Sequence, residues 1–141
     1  LAPDGTTFFN QNLLQYLHLT EESLRFVIKQ EMIEIERRMK TYRGSAEPPK
    51  ISGRSVILVD DGLATGLTVQ AASKGLQGQN PKQLILAVPV APRDTLIRLR
   101  QMVDEIICPL IPDDFQAVGQ FYSSFEQTTD EEVRQLLQNQ F

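Results

Sequence analysis

Two adjacent carboxylates, Asp60 and Asp61, are followed closely by a short run of small and hydroxylated residues. That run consists of Ala64, Thr65, Gly66, Leu67 and Thr68. Small residues let backbone N–H groups converge on an anion, and the start of a following helix adds to the attraction for a phosphate. Carboxylates accept hydrogen bonds from hydroxyl groups. The pattern therefore suits a sugar phosphate, with Asp60 and Asp61 on its hydroxyls and residues 64–68 on its phosphate.

The residues on either side of this motif predict the elements that hold it in place. Residues 56–59 are apolar and rich in β-branched side chains, which predicts a buried parallel strand. The apolar stretch at 69–76 predicts a helix directly after the loop. Open α/β sheets bind ligands at the carboxyl ends of their strands, where the two acids would lie. The simpler alternative is a buried strand that ends in a solvated Asp-Asp-Gly turn with no ligand. A Walker phosphate loop is excluded, because no Gly-Lys-Ser/Thr is present.

Two more strands are predicted downstream, in the apolar runs at 83–90 and 105–111. Between them, Asp94 or Thr95 would cap a helix. Strands that alternate with helices at these spacings predict an α/β fold with right-handed crossovers and a mainly parallel sheet.

The two ends of the chain carry helix signals. Residues 6–9 are β-prone, and Asn10 would cap a short helix. Thr20 would cap a longer helix that ends at Gly44. Near the other end, Thr128 or Thr129 would cap a last helix whose first turn is acidic.

The composition narrows the class of protein. At 141 residues and 41% hydrophobic content, the chain fits a single domain with its own core. A net charge of −4 without a basic cluster argues against a nucleic-acid partner. No apolar run approaches the roughly 18–20 residues of a membrane span. The lone cysteine, Cys108, fits a packed thiol, and a single histidine, His18, makes a metal site unexpected. We expect a cytoplasmic setting.

Residues 56–68 resemble the signature for 5-phosphoribosyl-1-pyrophosphate (PRPP) in type I phosphoribosyltransferases. That signature has four apolar residues, two acids, two mostly apolar residues and a Thr/Gly-rich phosphate loop, and Gly62 is the one unusual residue in it here. Residues 87–92, 115–122 and 127–133 are also similar to a group of bacterial predicted phosphoribosyltransferases whose acceptor is unassigned.

The resemblance implies a three-layer phosphoribosyltransferase-like α/β fold, of which the chain covers roughly the C-terminal two-thirds. Residues 1–44 would be a helical and edge-strand segment, with residues 6–9 as the antiparallel edge strand, and residues 45–141 the PRPP-binding core. The family's first strands and its pyrophosphate loop would precede Leu1. We therefore expect the first parallel strand to have one edge without a partner strand in these residues. The missing strands would belong to a longer or nicked protein, come from a second copy in a homo-oligomer, or be replaced by the N-terminal segment. The 141 residues alone are expected to lack transferase activity.

The resemblance also implies a function in nucleotide metabolism. The phosphoribosyl group of PRPP would pass to a base-like nitrogenous acceptor, with Asp60 and Asp61 as catalytic residues, residues 64–68 on the phosphate, and Mg²⁺ carried by the pyrophosphate. Phe115 would stack on the base, or it is a core aromatic residue that closes the end of the sheet. Ala64 stands where hypoxanthine–guanine enzymes carry an aspartate, so any proton transfer to the base must come from elsewhere. The alternative is a PRPP- or nucleotide-sensing protein without turnover.

Overall fold

The computed structural model describes residues 1–45, 47 and 49–138. The chain forms two compact units, one made of Leu1–Asn10 with Lys50–Ser124 and the other of Gln11–Pro49 with Phe125–Phe141. In chain order the elements are α1 (Gln11–Tyr16), α2 (Arg25–Arg43), β1 (Ser55–Val59), α3 (Leu67–Gln77), β2 (Gln83–Ala87), α4 (Arg93–Leu99), β3 (Glu105–Ile107) and α5 (Asp130–Gln138), with short 3₁₀ turns at Glu22–Leu24 and Val118–Phe121.

The first unit contains a parallel sheet with the strand order β1-β2-β3. Helix α3 connects β1 to β2, and α4 connects β2 to β3. The predicted α/β class with a parallel sheet is confirmed, although β2 and β3 are shorter than their apolar runs. Past the ends of β2 and β3, the two segments still meet at a parallel bridge between Val90 and Leu110.

One face of this sheet carries the core. Leu58, Leu86 and Ile106 lie side by side across the three strands and belong to the same apolar cluster. The two crossover helices contribute to this cluster through Val69 of α3 and Leu99 of α4. Both helices are therefore fixed over the same face, which sets the start of α3 beside α4.

Strand β1 is not buried on both faces, which corrects the expectation from its apolar run. Ile57 is 62% exposed and Val59 is 70% exposed, whereas Leu58 packs against the core. Side chains alternate between the two faces of a strand, and only the face of Leu58 carries the core cluster. A continuous apolar run could not reveal this difference. As expected, β1 pairs with β2 alone among the described residues.

The β-prone residues 6–9 do not form a strand, so the expected edge strand is wrong for the described chain. A strand needs a neighbour that accepts and donates its backbone hydrogen bonds. Here the backbone contact of this stretch is local, from the N–H of Ala2 to the carbonyl of Thr6. Residues 6–9 therefore have strand propensity without strand pairing.

The second unit is helical, and α2 ends as predicted at Gly44, which has a left-handed φ of 69°. The predicted start at Thr20 is only partly right: the hydroxyl of Thr20 accepts from the N–H of Ser23 in the 3₁₀ turn before α2, but α2 itself begins at Arg25 after Leu24 without a side-chain cap. Thr129 caps α5 in a reciprocal arrangement with Glu132, whose carboxylate accepts from the Thr129 N–H at 2.8 Å. Within the described residues, no helix has the length and apolar character needed to cross a membrane.

Candidate functional site

The acid pair follows directly on the last residue of β1. Asp60 is half-buried and Asp61 is exposed. The Asp60 carboxylate accepts a 3.0 Å hydrogen bond from the backbone N–H of Asp61, so it lies against the peptide unit that follows it. Burial raises the pKa of Asp60, the nearby charge of Asp61 adds to the rise, and the hydrogen bond from Asp61 opposes it.

The loop between the acids and α3 is fixed at both ends. At its start, the backbone N–H of the buried Leu63 donates at 3.0 Å to the carbonyl oxygen of Val90, which follows β2. At its end, Gly66 caps α3 with a left-handed φ of 72° and accepts a 2.9 Å hydrogen bond from the N–H of Gln70. Glycine adopts this conformation without steric cost, so the phosphate-type loop turns sharply into the helix.

Several backbone N–H groups of this loop are left without a partner. Within the described part of the chain, no hydrogen bond runs from the N–H groups of Ala64, Thr65, Gly66 or Thr68 to another residue. The N–H of Leu67 makes a long contact of 3.5 Å with the hydroxyl of Thr65. Donors clustered at a helix N-terminus attract anions, because the helix dipole adds to their partial positive charge. The loop can therefore accept an anionic oxygen group.

Helix α4 supports the loop from behind. The buried hydroxyl of Thr95 donates a 2.7 Å hydrogen bond to the carbonyl oxygen of Ala64, and Arg98 donates to the same hydroxyl at 2.9 Å. The expectation that Asp94 or Thr95 caps α4 is wrong for both residues, because the helix begins at Arg93 after Pro92. Thr95 lies inside the helix, so its hydroxyl is available to the loop.

Residues 115–122 come to the acid pair from the other side. The hydroxyl of Tyr122 donates to the backbone carbonyl of Asp61 at 2.6 Å. Val118 packs on Gly62, where an added β-carbon would lie 2.6 Å from Val118 Cγ1 and 2.9 Å from Val90 Cγ1. The close approach of Val118 and Val90, together with a φ of 159°, therefore accounts for a glycine at position 62, the unusual residue of the motif.

Phe115, the predicted base-stacking residue, is half-buried and already paired with another aromatic ring. Its ring lies 5.6 Å from that of Phe121, with 23° between the planes. The sequence motif brings together Asp60, Asp61 and residues 64–68, and the fold adds the segment that carries Phe115. The role of Phe115 on a base stays a prediction.

Neither a metal cluster nor a reactive thiol accompanies the acids in the described part of the chain. Among those residues, no group of three or more His, Cys, Asp or Glu side chains could hold a metal ion. Cys108 donates a weak 3.3 Å hydrogen bond to the carbonyl of Leu110, and burial raises the pKa of its thiol. Cys108 thus matches the packed thiol that the sequence predicts.

Sequence reasoning did not identify three residues that shape the site: Thr95, Arg98 and Val118. Their contacts join segments far apart in the chain, so no local pattern shows them. The one available signal was Gly62, since an unexpected glycine often marks a close approach of another segment.

The sequence matches known proteins. The family profile described as "Phosphoribosyl transferase domain" matches residues 6–126. Two Mycobacterium tuberculosis proteins, "Putative phosphoribosyl transferase MT0597" of strain CDC 1551 and "Putative phosphoribosyl transferase Rv0571c" of strain H37Rv, are each 35% identical over 133 residues, which is 94% of this chain. Among solved structures, TT1426 from Thermus thermophilus is similar, with a TM-score of 0.75 and 31% identity over 97% of this chain.

The chain spans only part of these relatives. It covers 30% of the length of each Mycobacterium tuberculosis protein and 64% of the solved TT1426 chain. The likeness therefore concerns one region of the longer proteins.

Proposed function

This chain belongs to the phosphoribosyl transferase domain family, and from that premise we propose that it binds PRPP and serves the transfer of its phosphoribosyl group to a nitrogenous base. The observation that carries the proposal is the set of unpartnered N–H groups at Ala64, Thr65, Gly66 and Thr68, directly after Asp60 and Asp61. A phosphate at these donors leaves the ribose within reach of acids from the same loop.

In the proposed complex, the 5-phosphate of PRPP accepts hydrogen bonds from residues 64–68. The carboxylates of Asp60 and Asp61 accept hydrogen bonds from the ribose hydroxyls and fix the sugar ring. The half-buried position of Asp60 supports this role, because a partly desolvated carboxylate binds a hydroxyl more strongly than one in bulk water. Orientation of the ring exposes its anomeric carbon to the acceptor.

The transfer step replaces one bond at the anomeric carbon. The bond to the pyrophosphate oxygen breaks, its electron pair leaves with the pyrophosphate, and the acceptor nitrogen forms the new bond. Positive charge develops on the sugar in the transition state, and the carboxylates of Asp60 and Asp61 stabilise it. The side chain of Ala64 cannot take a proton from the base, so that proton goes to another group or to solvent.

Mg²⁺ belongs to the substrate in this proposal. Mg²⁺ commonly keeps several waters and binds through substrate phosphates with one or two carboxylates. Because the described residues form no three-ligand cluster, the pyrophosphate and water would supply most of the oxygen ligands of the ion. The acids are then free to address the ribose.

Binding measurements with two ligands test the site. In a variant with Asp60→Asn and Asp61→Asn, we expect PRPP affinity to fall by more than about tenfold, since each charge-assisted hydrogen bond is worth about 1.5–3 kcal/mol. The affinity for inorganic phosphate, which lacks the ribose, should fall much less. Equal losses for both ligands would show that the acids act through the general field of the site.

Isotope exchange then separates transfer from sensing. Because the 141 residues alone are expected to lack transferase activity, the exchange is measured on a protein that also carries the pyrophosphate loop of the family. Labelled pyrophosphate that enters PRPP in the presence of a candidate base indicates a transferase. Tight PRPP binding with no exchange for any base would favour the sensing alternative.

A further inference from the structure

We propose that Thr95 is a positioning residue of the phosphate loop and that Arg98 sets the direction of its hydroxyl proton. This inference rests on the proposed function of residues 64–68. Thr95 lies 31 residues beyond Ala64 in the chain and outside every stretch that resembles the PRPP signature.

Thr95 is built into the interior of the first unit. It is only 2% exposed, and its hydroxyl donates to the carbonyl oxygen of Ala64 at 2.7 Å. A threonine inside a helix commonly donates to a carbonyl of its own preceding turn. Here the proton goes instead to the loop, so the contact holds the loop rather than the helix.

Arg98 determines this choice. Its Nη2 donates to the Thr95 hydroxyl oxygen at 2.9 Å. A hydroxyl has one proton to give, and an oxygen that accepts from Arg98 directs that proton away from the guanidinium. The two bonds in series also polarise one another, which strengthens the bond to Ala64.

The methyl group of Thr95 contacts the loop as well. A β-carbon added to Gly66 would lie 2.9 Å from Thr95 Cγ2 and 3.2 Å from Leu99 Cδ1. The hydroxyl branch therefore holds the Ala64 carbonyl while the methyl branch packs beneath Gly66. With that carbonyl engaged by α4, the loop keeps one shape in which its unpartnered N–H groups remain available to an anion.

The consequence is preorganisation. A loop already held in its binding shape loses little conformational freedom when an anion binds. Removal of the Thr95 hydroxyl should then weaken all phosphate ligands alike, because the effect acts on the loop and not on the ribose. A purely structural role would lower stability without this pattern.

The test compares two substitutions at the same position. Thr95→Val keeps the shape and loses the hydroxyl, and Thr95→Ser keeps the hydroxyl and loses the methyl. In calorimetric titrations, Thr95→Val should weaken PRPP and inorganic phosphate by a similar factor of about fivefold to tenfold. Thr95→Ser should stay within about twofold of wild type. Wild-type affinity in a folded Thr95→Val chain, or equal losses in the two variants, would overturn the proposal.

Arg98→Met provides a second test on an exposed side chain, in case Thr95→Val does not fold. We expect the affinities for PRPP and for inorganic phosphate to fall by about twofold to fivefold. Arg100→Met is the matched control, since it removes the same charge from an exposed residue at the end of α4 and should change affinity little. Equal effects of the two arginine variants would mean that only the general charge matters, which overturns the role of Arg98.

Hydrogen exchange of the loop amides keeps this proposal separate from the proposed function. If the wild-type chain binds neither ligand, the function fails, but the loop can still be observed. The amides to follow are those of Leu63 and Gln70, whose hydrogen bonds to Val90 and Gly66 fix the two ends of the loop. Faster exchange of these two amides in Thr95→Val than in Thr95→Ser would support the positioning role. Identical exchange in both variants would overturn it whatever the ligand results.

Discussion

The hydroxyl of Tyr122 donates a 2.6 Å hydrogen bond to the backbone carbonyl oxygen of Asp61, across 61 residues of sequence. This bond and the contact of Val118 with Gly62 fix residues 115–122 against the backbone of the acid pair. The backbone of the acid pair is therefore held by two parts of the chain: β1, which directly precedes it, and residues 115–122, which are distant in sequence.

Tyr122→Phe should remove this bond with little change in shape. We expect the free energy of unfolding to fall by about 1 kcal/mol, the usual net value of one hydrogen bond. Urea titrations measure this loss, and Tyr16→Phe at a residue that is 80% exposed is the control. Equal urea midpoints for Tyr122→Phe and wild type would show that the bond does not stabilise the fold.

Gly62→Ala should force Val118 away from the acid pair. Its β-carbon would approach Val118 Cγ1 to 2.6 Å, so we expect a loss of about 1–3 kcal/mol from overpacking. Val118→Ala in the same chain should restore part of this loss by making room.

The control for this pair is Gly78→Ala, where an added β-carbon meets only the carbonyl of Gly75 at 3.5 Å and that of Lys74 at 4.0 Å. Gly78→Ala should leave the urea midpoint unchanged or raise it. If Gly62→Ala is as well tolerated as Gly78→Ala, then Val118 does not constrain position 62.

Asp60→Asn should stabilise the fold while it weakens the site. Burial raises the pKa of Asp60 in the folded chain, so the folded state keeps this proton to higher pH than the unfolded state does. Ionisation of Asp60 therefore opposes folding, and the penalty develops as pH rises from the unfolded pKa through the folded one. The asparagine oxygen can still accept from the N–H of Asp61.

The expected urea midpoint of Asp60→Asn is above that of wild type at pH 7, and the difference should vanish below the unfolded pKa of about 3.9. PRPP affinity should fall in the same variant. The exposed Asp113→Asn serves as the control. A midpoint below that of wild type at pH 7 would mean that the Asp60 carboxylate stabilises the fold.

Acid should loosen the packing of α5 on α2 within the second unit. Arg37 forms a 2.6 Å salt bridge with Asp130, and the hydroxyl of Tyr42 also donates a hydrogen bond to Asp130. The hydrogen bond from Arg37 is the main reason that the pKa of Asp130 is lowered. Arg37 and Arg38 lower the pKa of Glu34 from 4.5 to about 2. A carboxylate whose pKa is lower in the folded state than in the unfolded state stabilises the fold fully at pH values above its unfolded pKa. This stabilisation is lost as the pH falls through the folded-state pKa.

Amide exchange in α5 should therefore accelerate as pH is lowered from 4.5 to about 2, after correction for the intrinsic pH dependence of exchange. Asp130→Asn should bring the faster exchange already at neutral pH, and Glu31→Gln on the exposed surface of α2 should not. Protection of α5 that is the same at both pH values would refute this role of Asp130.

The sequence predicted the parts of the fold that local patterns determine. The order of strand, acid pair, small loop and helix between residues 56 and 77 is local, and so are the end of α2 at Gly44 and the cap of α5 at Thr129. Apolar runs located β2 and β3 but overstated their length, because Val90 and Leu110 pair at a single bridge beyond the regular ladder.

Local sequence patterns could not predict the long-range contacts of the site. Thr95 satisfies the local rules for a helix cap, yet Pro92 precedes the helix and the hydroxyl finds the carbonyl of Ala64. Ile57 and Leu58 are both apolar, and only the packing of the crossover helices makes their burial different. Such differences follow from which segments meet in three dimensions, not from residue type.

Titration of PRPP into the wild-type chain and into Gly66→Val tests the central claim most directly. The account predicts saturable binding to the wild-type chain and none to Gly66→Val, because a side chain at this left-handed position would press on Thr95 and disturb the phosphate loop. Circular dichroism should show that the variant keeps its fold. Absence of PRPP binding to the wild-type chain, or unchanged affinity in a folded Gly66→Val chain, would contradict the assignment of residues 64–68 as the phosphate site.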